Sequence, residues 1–283
     1  MIPQQRPDFT TPANRRDGLM AESATETRKN LERALVIATV ALVNVAAFAR
    51  MGVIYELGLG AFLAVAIAGR ARGAVHFVLL FFLMSAMRDA LPGLAGEMPS
   101  IKAVVPLAAS TLLMLPFTKR EAFAWMRAGS VDVATALIGA VTSAVSIAAL
   151  LVWAFWTTDF GEGPAIIKFF SAHFPAWMIF AFGAPLFALV NAFSEEAVYR
   201  GLSQATIGDA CGPGAAIALQ STLYAAAHFL TGFPNGYAGY AMTFSYGCVL
   251  GYMRQRTGGI KASCLTHVAA DLTIAYFLAF SVL

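Results

Sequence analysis

The sequence predicts an all-α fold, a polytopic transmembrane bundle of about eight or nine helices. Three observations predict it. Hydrophobic residues fill 59% of the 283 positions and charged residues only 12%, where a soluble domain carries about a quarter charged. The mean hydropathy is +0.69. From about residue 34 onward the apolar excess comes in runs separated by charges, many of them long enough for a hydrocarbon core of ~30 Å.

The elements follow in order. Residues 1–33 are polar and hold Arg6, Arg15, Arg16, Arg28, Lys29 and Arg33; they predict a mobile cytoplasmic tail. No apolar stretch followed by a small-residue cleavage site stands near the start. Apolar runs place helices near 34–49, 53–69, 74–91, 103–117, 132–156, 176–207, 214–231, 237–253 and 261–282. The first is short and contains Asn44. The sixth is too long for one straight span and is expected to kink near Pro185 or change character at Ser194. Residues 34–160 read as N-terminal membrane helices of unassigned role, and 161–283 as the part that carries chemistry.

Orientation follows from Lys and Arg in the connections. With the N-terminus in the cytoplasm and nine spans, the cytoplasmic set holds fourteen Lys or Arg and the opposite set four, with Arg200 in neither. A multi-pass protein of the plasma (inner) membrane is expected, with the lipid bilayer as its surroundings and no nucleic-acid partner. Cys211, Cys248 and Cys264 are scattered, which argues against a disulfide framework or a thiolate metal site. No internal repeat and no nucleotide-binding glycine motif stands out.

An ionisable group in hydrocarbon costs about 2.5–3.5 kcal/mol on insertion scales. Most charges here lie in loops, as that cost requires. The exceptions gather in the last third: Glu195, Glu196 and Arg200 in FSEEAVYRG, His228 in LYAAAHF, and His267 and Asp271 in LTHVAADL. Glu196 and Arg200 are four apart, so they share a helix face and can pair. Glu195 points about 100° away. His267 and Asp271 are also four apart, so Asp271 is expected to hold the ring of His267. At ~1.5 Å per residue, Glu195 and His228 lie ~18 and ~22 Å from the turn near residues 208–214, and His267 and Asp271 ~10 and ~16 Å from the same face. Convergence of the three segments is allowed. His76 and His173 have no motif partners and read as packing or loop residues; Met242 and Tyr246 read as packing.

Glu195-Glu196-x-x-x-Arg200, then Tyr224-x-x-x-His228, then His267-x-x-x-Asp271 resemble the three motifs of the CPBP family, the CAAX-protease and bacteriocin-processing membrane enzymes. The surrounding EEAVYRG and GYMRQRTGGIKASCLTHVAADL are similar to the family's runs. The resemblance covers about residues 175–275. Two positions depart from the usual pattern: Tyr224 stands where Phe is usual, and Asp271 where Asn is common.

The resemblance implies an intramembrane endopeptidase acting on a membrane-associated protein or peptide. Peptide hydrolysis needs a base to activate water and a group to stabilise the oxyanion. Glu195 is the candidate base, with His228 and His267 as candidates for water binding and oxyanion stabilisation. Arg200 is expected to neutralise Glu196. A zinc alternative uses Glu195, His228 and His267, two imidazoles and a carboxylate, although no HExxH is present. Functions of other classes are a proton-coupled transporter and a non-catalytic binding or immunity protein on the same scaffold. The transporter predicts paired broken helices or internal repeats, and the silent scaffold predicts a lost motif residue.

Overall fold

The computed structural model describes residues 12–91, 99–156, 167, 171–231 and 233–281, and the described residues contain helices and no strand. The longer helices among the described residues run in chain order: α1 Pro12–Ala49, α2 Val53–Ala68, α3 Arg72–Ala90, α4 Pro99–Thr118, α5 Val133–Trp156, α6 Ala176–Cys211, α7 Pro213–Thr231, α8 Gly236–Thr257 and α9 Lys261–Ser281. A 3₁₀ segment, Lys119–Met126, follows α4. Each helix expected from an apolar run is present. The first begins much earlier: α1 is helical from Pro12, so residues 12–33 of the expected polar tail continue the helix, while residues 1–11 of it lie outside the described residues.

Among the described residues, six helices are long and apolar enough to cross a membrane: α1 over Met20–Ala49, α3, α4 over Ile101–Thr118, α5, α6 and α9 over Lys261–Phe280. A polytopic helical bundle is what the sequence predicts. The α2 helix is apolar but only 16 residues long. The α7 and α8 helices are long enough but less apolar, because they spend positions on Gln220, Ser221, Thr222, His228, Tyr240, Ser245 and Tyr246.

The α6 helix changes its winding twice. Wider turns, with bonds to the fifth residue back, replace α-helical ones over Ile179–Gly183 and Ala197–Ser203. The second stretch starts directly after Glu196. Such insertions often mark functional positions. Pro185 comes just after the first of these stretches, so its missing N–H falls where the winding changes.

Lipid tails are as apolar as a side chain, so close packing and internal hydrogen bonds hold membrane helices together. The pair α7 and α8 shows both. Gln220 donates from Nε2 to the Gly247 carbonyl at 2.9 Å, and Gln204 of α6 to the Gly251 carbonyl at 2.8 Å. A Cβ on Gly251 would lie 2.6 Å from Gln220 Nε2, and one on Gly247 3.0 Å from Ser221 Oγ. The glycines therefore let the buried amides reach backbone carbonyls. Asn44 of α1 ties in through Thr222 and Tyr240, each at 3.2 Å.

The α5 helix lies on α9. Its Gly139 faces Thr266 and Met253, and much of its outer surface is exposed, including Val141, Val145 and Phe155. The segment before α5 docks on the turn between α8 and α9 through three backbone bonds: Ser130 N–H to Thr257 O, Ile260 N–H to Arg127 O and Lys261 N–H to Ala128 O, at 2.9–3.0 Å. Asp132 caps α5 by accepting the Thr135 amide at 2.7 Å and pairs with Arg256 at 2.8 Å. Hydrogen bonds from Thr135, and then from Arg256, hold the Asp132 carboxyl well below the usual carboxylate range.

Candidate active site

Four helices bring the polar residues together. The α6 helix carries Asn191, Glu195, Glu196 and Arg200; α7 carries Tyr224 and His228; α8 carries Tyr246; α9 carries His267 and Asp271.

Arg200 Nη1 lies 2.9 Å from Glu196 Oε1, and neither side chain has any solvent exposure. This is the partner that the four-residue spacing favours over Glu195. The guanidinium carbon also sits 4.3 Å from the centroid of the Tyr224 ring, a cation–π contact. Gly201, next in the chain, leaves room for Trp125 of the 3₁₀ segment, whose Cε3 would be 3.2 Å from an added Cβ. The glycine of FSEEAVYRG thus lets a second segment press against the ion pair's helix.

Glu196 Oε1 also faces His267 Nδ1 at 3.0 Å. A carboxylate can only accept from a ring nitrogen, so Nδ1 carries the proton and Nε2 of the neutral ring presents its lone pair. Nε2 faces three groups: the Tyr224 hydroxyl at 3.0 Å, Glu195 Oε2 at 3.6 Å and Asp271 Oδ1 at 3.6 Å. The expectation that Asp271 holds His267 is corrected. Glu196 holds the Nδ1 edge, because that edge turns toward α6, and Asp271 stands beside Nε2 with Glu195. His228 Nδ1 bonds the Tyr224 carbonyl one turn back at 3.2 Å. Its other nitrogen is then the unprotonated one in the neutral ring.

Sequence reasoning missed two contributors. Asn191 donates from Nδ2 to Glu195 Oε1 and to Asp271 Oδ2, both at 3.1 Å. The available signal was an amide in an apolar run, one turn before Glu195. Tyr246, read as packing, packs its ring edge-on to His267 with centroids 5.7 Å apart and donates to the Thr266 carbonyl. Beside these groups opens a cavity of about 580 Å³, lined by Tyr224, His228, Tyr246, His267 and Asp271 and by a wall of α5 that includes Thr142, Ser146 and Ala149. Glu195 keeps 19% of its side chain exposed.

The zinc set expected from Glu195, His228 and His267 does not fit this arrangement. Among the described residues no three His, Cys, Asp or Glu side chains are placed to hold one ion. The reason is local: both nitrogens of His267 already face protein partners, and His228 turns Nδ1 to its own helix.

Comparison with known proteins gives one finding. Residues 174–273 match the family model of the Rce1-like type II CAAX prenyl endopeptidases. That stretch is similar to the Rce1-like family. It covers about a third of the chain and contains Glu195, Glu196, Arg200, Tyr224, His228, His267 and Asp271. The resemblance carried by the three motifs and the family match therefore agree on the same residues. No curated protein and no solved structure matches the chain. The α5 wall of the cavity lies outside the matched stretch.

Proposed function

We propose that this chain is an intramembrane endopeptidase in which Glu195 activates the attacking water. One observation supports the reading above the others. Glu195 Oε1 is held by Asn191, while Oε2 takes no hydrogen bond from the described residues and faces His267 Nε2 at 3.6 Å. A carboxylate with one oxygen fixed and the other left to accept is what a general base requires.

In this reading Glu195 Oε2 takes one proton from water, and the unprotonated nitrogen of His228 accepts the other hydrogen bond. The water oxygen adds to the scissile carbonyl carbon, and the π pair moves to the carbonyl oxygen. The Tyr224 hydroxyl, and His267 Nε2 when the ring is protonated, are the donors at hand for that oxyanion. The carbonyl re-forms as the C–N bond breaks, and the proton on Glu195 passes to the leaving nitrogen. The products are a carboxylic acid and an amine, which become a carboxylate and an ammonium once the acid's proton passes to the amine, with Glu195 ionised again. Glu196 and Arg200 act through His267 as its support. No step runs through a metal ion.

The substrate class is a membrane-associated protein or peptide, and the family description points to a prenylated C-terminus. The Lys and Arg asymmetry favours a cytoplasmic N-terminus, and the plasma (inner) membrane is the location proposed with it. Quantitative N- and C-terminal proteomics of membranes, comparing wild type with Glu195→Gln, tests the reading. New termini that disappear in the variant support it. Unchanged termini, with proton-coupled uptake into vesicles of the purified protein, would point to a transporter instead.

A further inference from the structure

Asn191, Glu195, His267 and Asp271 form a closed ring. The Asn191 amide nitrogen lies 3.1 Å from Glu195 Oε1 and 3.1 Å from Asp271 Oδ2. The other oxygen of each carboxylate lies 3.6 Å from His267 Nε2. Each carboxylate thus turns one oxygen to the amide and the other to the imidazole. A primary amide nitrogen carries two hydrogens, so it can serve both acceptors at once. Because both partners are carboxylates, the nitrogen and not the oxygen of the amide must face them. Asn191 is only 8% exposed. Its contact with Glu195 is within α6, and its contact with Asp271 crosses to α9.

We propose that Asn191 is a positioning residue for hydrolysis: its amide bridges the Glu195 and Asp271 carboxylates, sets their separation and leaves Glu195 Oε2 to accept from water. The inference rests on the reading of Glu195 as the base. Two carboxylates without a donor between them repel, and a shared proton is the alternative bridge. A base that already holds that proton cannot take one from water. The other ionisable groups facing the ring are Tyr224 and His228 from α7, Tyr246 from α8, and Glu196 with Arg200 from α6. The α5 wall brings the hydroxyls of Thr142 and Ser146 to the cavity.

The experiment uses the full-length protein in detergent and an internally quenched peptide ending in a farnesylated Cys-aliphatic-aliphatic-Met sequence. It compares wild type, Asn191→Ala, Asn191→Asp, the exchange N191D/D271N and Glu195→Gln. Asn191→Ala is expected to lower kcat by about 10²-fold, as misplacement of a reacting group does. KM should stay within about threefold, which places the loss in the chemical step. The acidic limb of the pH profile of kcat/KM should move in Asn191→Ala and Asn191→Asp. The exchange sets a carboxylate at position 191 directly against Glu195 and moves the amide beyond it to position 271, so its turnover should stay about as low as that of Asn191→Asp, as required if the amide must lie between the two carboxylates. Thermal unfolding of each variant accounts for lost protein. A wild-type kcat and pH profile in Asn191→Ala, or an exchange that restores turnover toward wild type, would overturn the proposal. If Glu195→Gln turns over like wild type, the reading of the base has failed instead. A second measurement is free of turnover. The carboxyl bands in the pH-difference infrared spectrum, assigned with Glu195→Gln and Asp271→Asn, should both shift in Asn191→Ala; bands that stay in place contradict the bridge.

Discussion

Arg200 carries its charge in a place with no solvent, held by Glu196 at 2.9 Å and by the face of Tyr224. Breaking a buried ion pair by removing one partner leaves the other charge uncompensated, at a cost of about 3–5 kcal/mol. Arg200→Ala is therefore expected to lower the thermal midpoint strongly in detergent and to inactivate. An Arg200→Ala protein with wild-type unfolding and turnover contradicts the clamp. Glu196 is tied twice, because the oxygen that faces Arg200 also holds His267 Nδ1. The pairing of Glu196 with Arg200 was legible in the sequence, since helical spacing alone brings residues four apart together. The partner of His267 was not. Its i+4 neighbour, Asp271, was the local choice, and the actual one comes from another helix. The bridge by Asn191 was hidden for the same reason, because half of it spans 80 positions of sequence.

At the scale of elements, the segment before α5 is fastened to the turn between α8 and α9. Gly259 is the tight point. A Cβ there would collide with the backbone of Ala128 and Gly129, and backbone cannot rotate aside as a side chain can. Gly259→Ala should loosen that docking, which amide hydrogen exchange at residues 127–135 would report as faster exchange than in wild type. Unchanged exchange would mean that the junction tolerates the methyl. Asp132 supplies a second fastening with a pH signature. Its carboxyl is depressed in the folded protein by Thr135 and Arg256. Its contribution is then full above the unfolded pKa of about 4 and fades as pH falls below that value toward the folded one. The stability difference between wild type and Asp132→Asn, from thermal unfolding, should be constant from about pH 5 to 7 and shrink in stronger acid. The opposite slope contradicts the cap. Helix positions were legible because apolar runs and charges mark them. The start of α1 was not, because residues 12–33 are polar; bonds from Arg33 to Ala210 and from Gly73 to Glu32 tie the later part of that stretch to the bundle.

For the whole molecule, the family match ends at residues 174–273, while the cavity does not. The α5 helix closes one side with Thr142, Ser146 and Ala149. No motif announced that role, because small and apolar residues on a membrane helix look alike whether they face lipid or a cavity. Ala149→Phe should fill part of the cavity. It is expected to lower kcat/KM at least about tenfold while the thermal midpoint stays close to wild type, since α5 is largely exposed. Wild-type kcat/KM would show that substrate does not occupy that side. The central claim is that Glu195 takes the proton from water, and turnover of Glu195→Gln tests it most directly. Purified wild-type and Glu195→Gln proteins are incubated with a pool of farnesylated and unmodified peptides, cleavage is followed by mass spectrometry, and thermal unfolding is measured on the same samples. The account predicts an unfolding midpoint close to wild type and a loss of cleavage of about 10²- to 10⁴-fold, the range of general-base catalysis; cleavage by Glu195→Gln at the wild-type rate would contradict it.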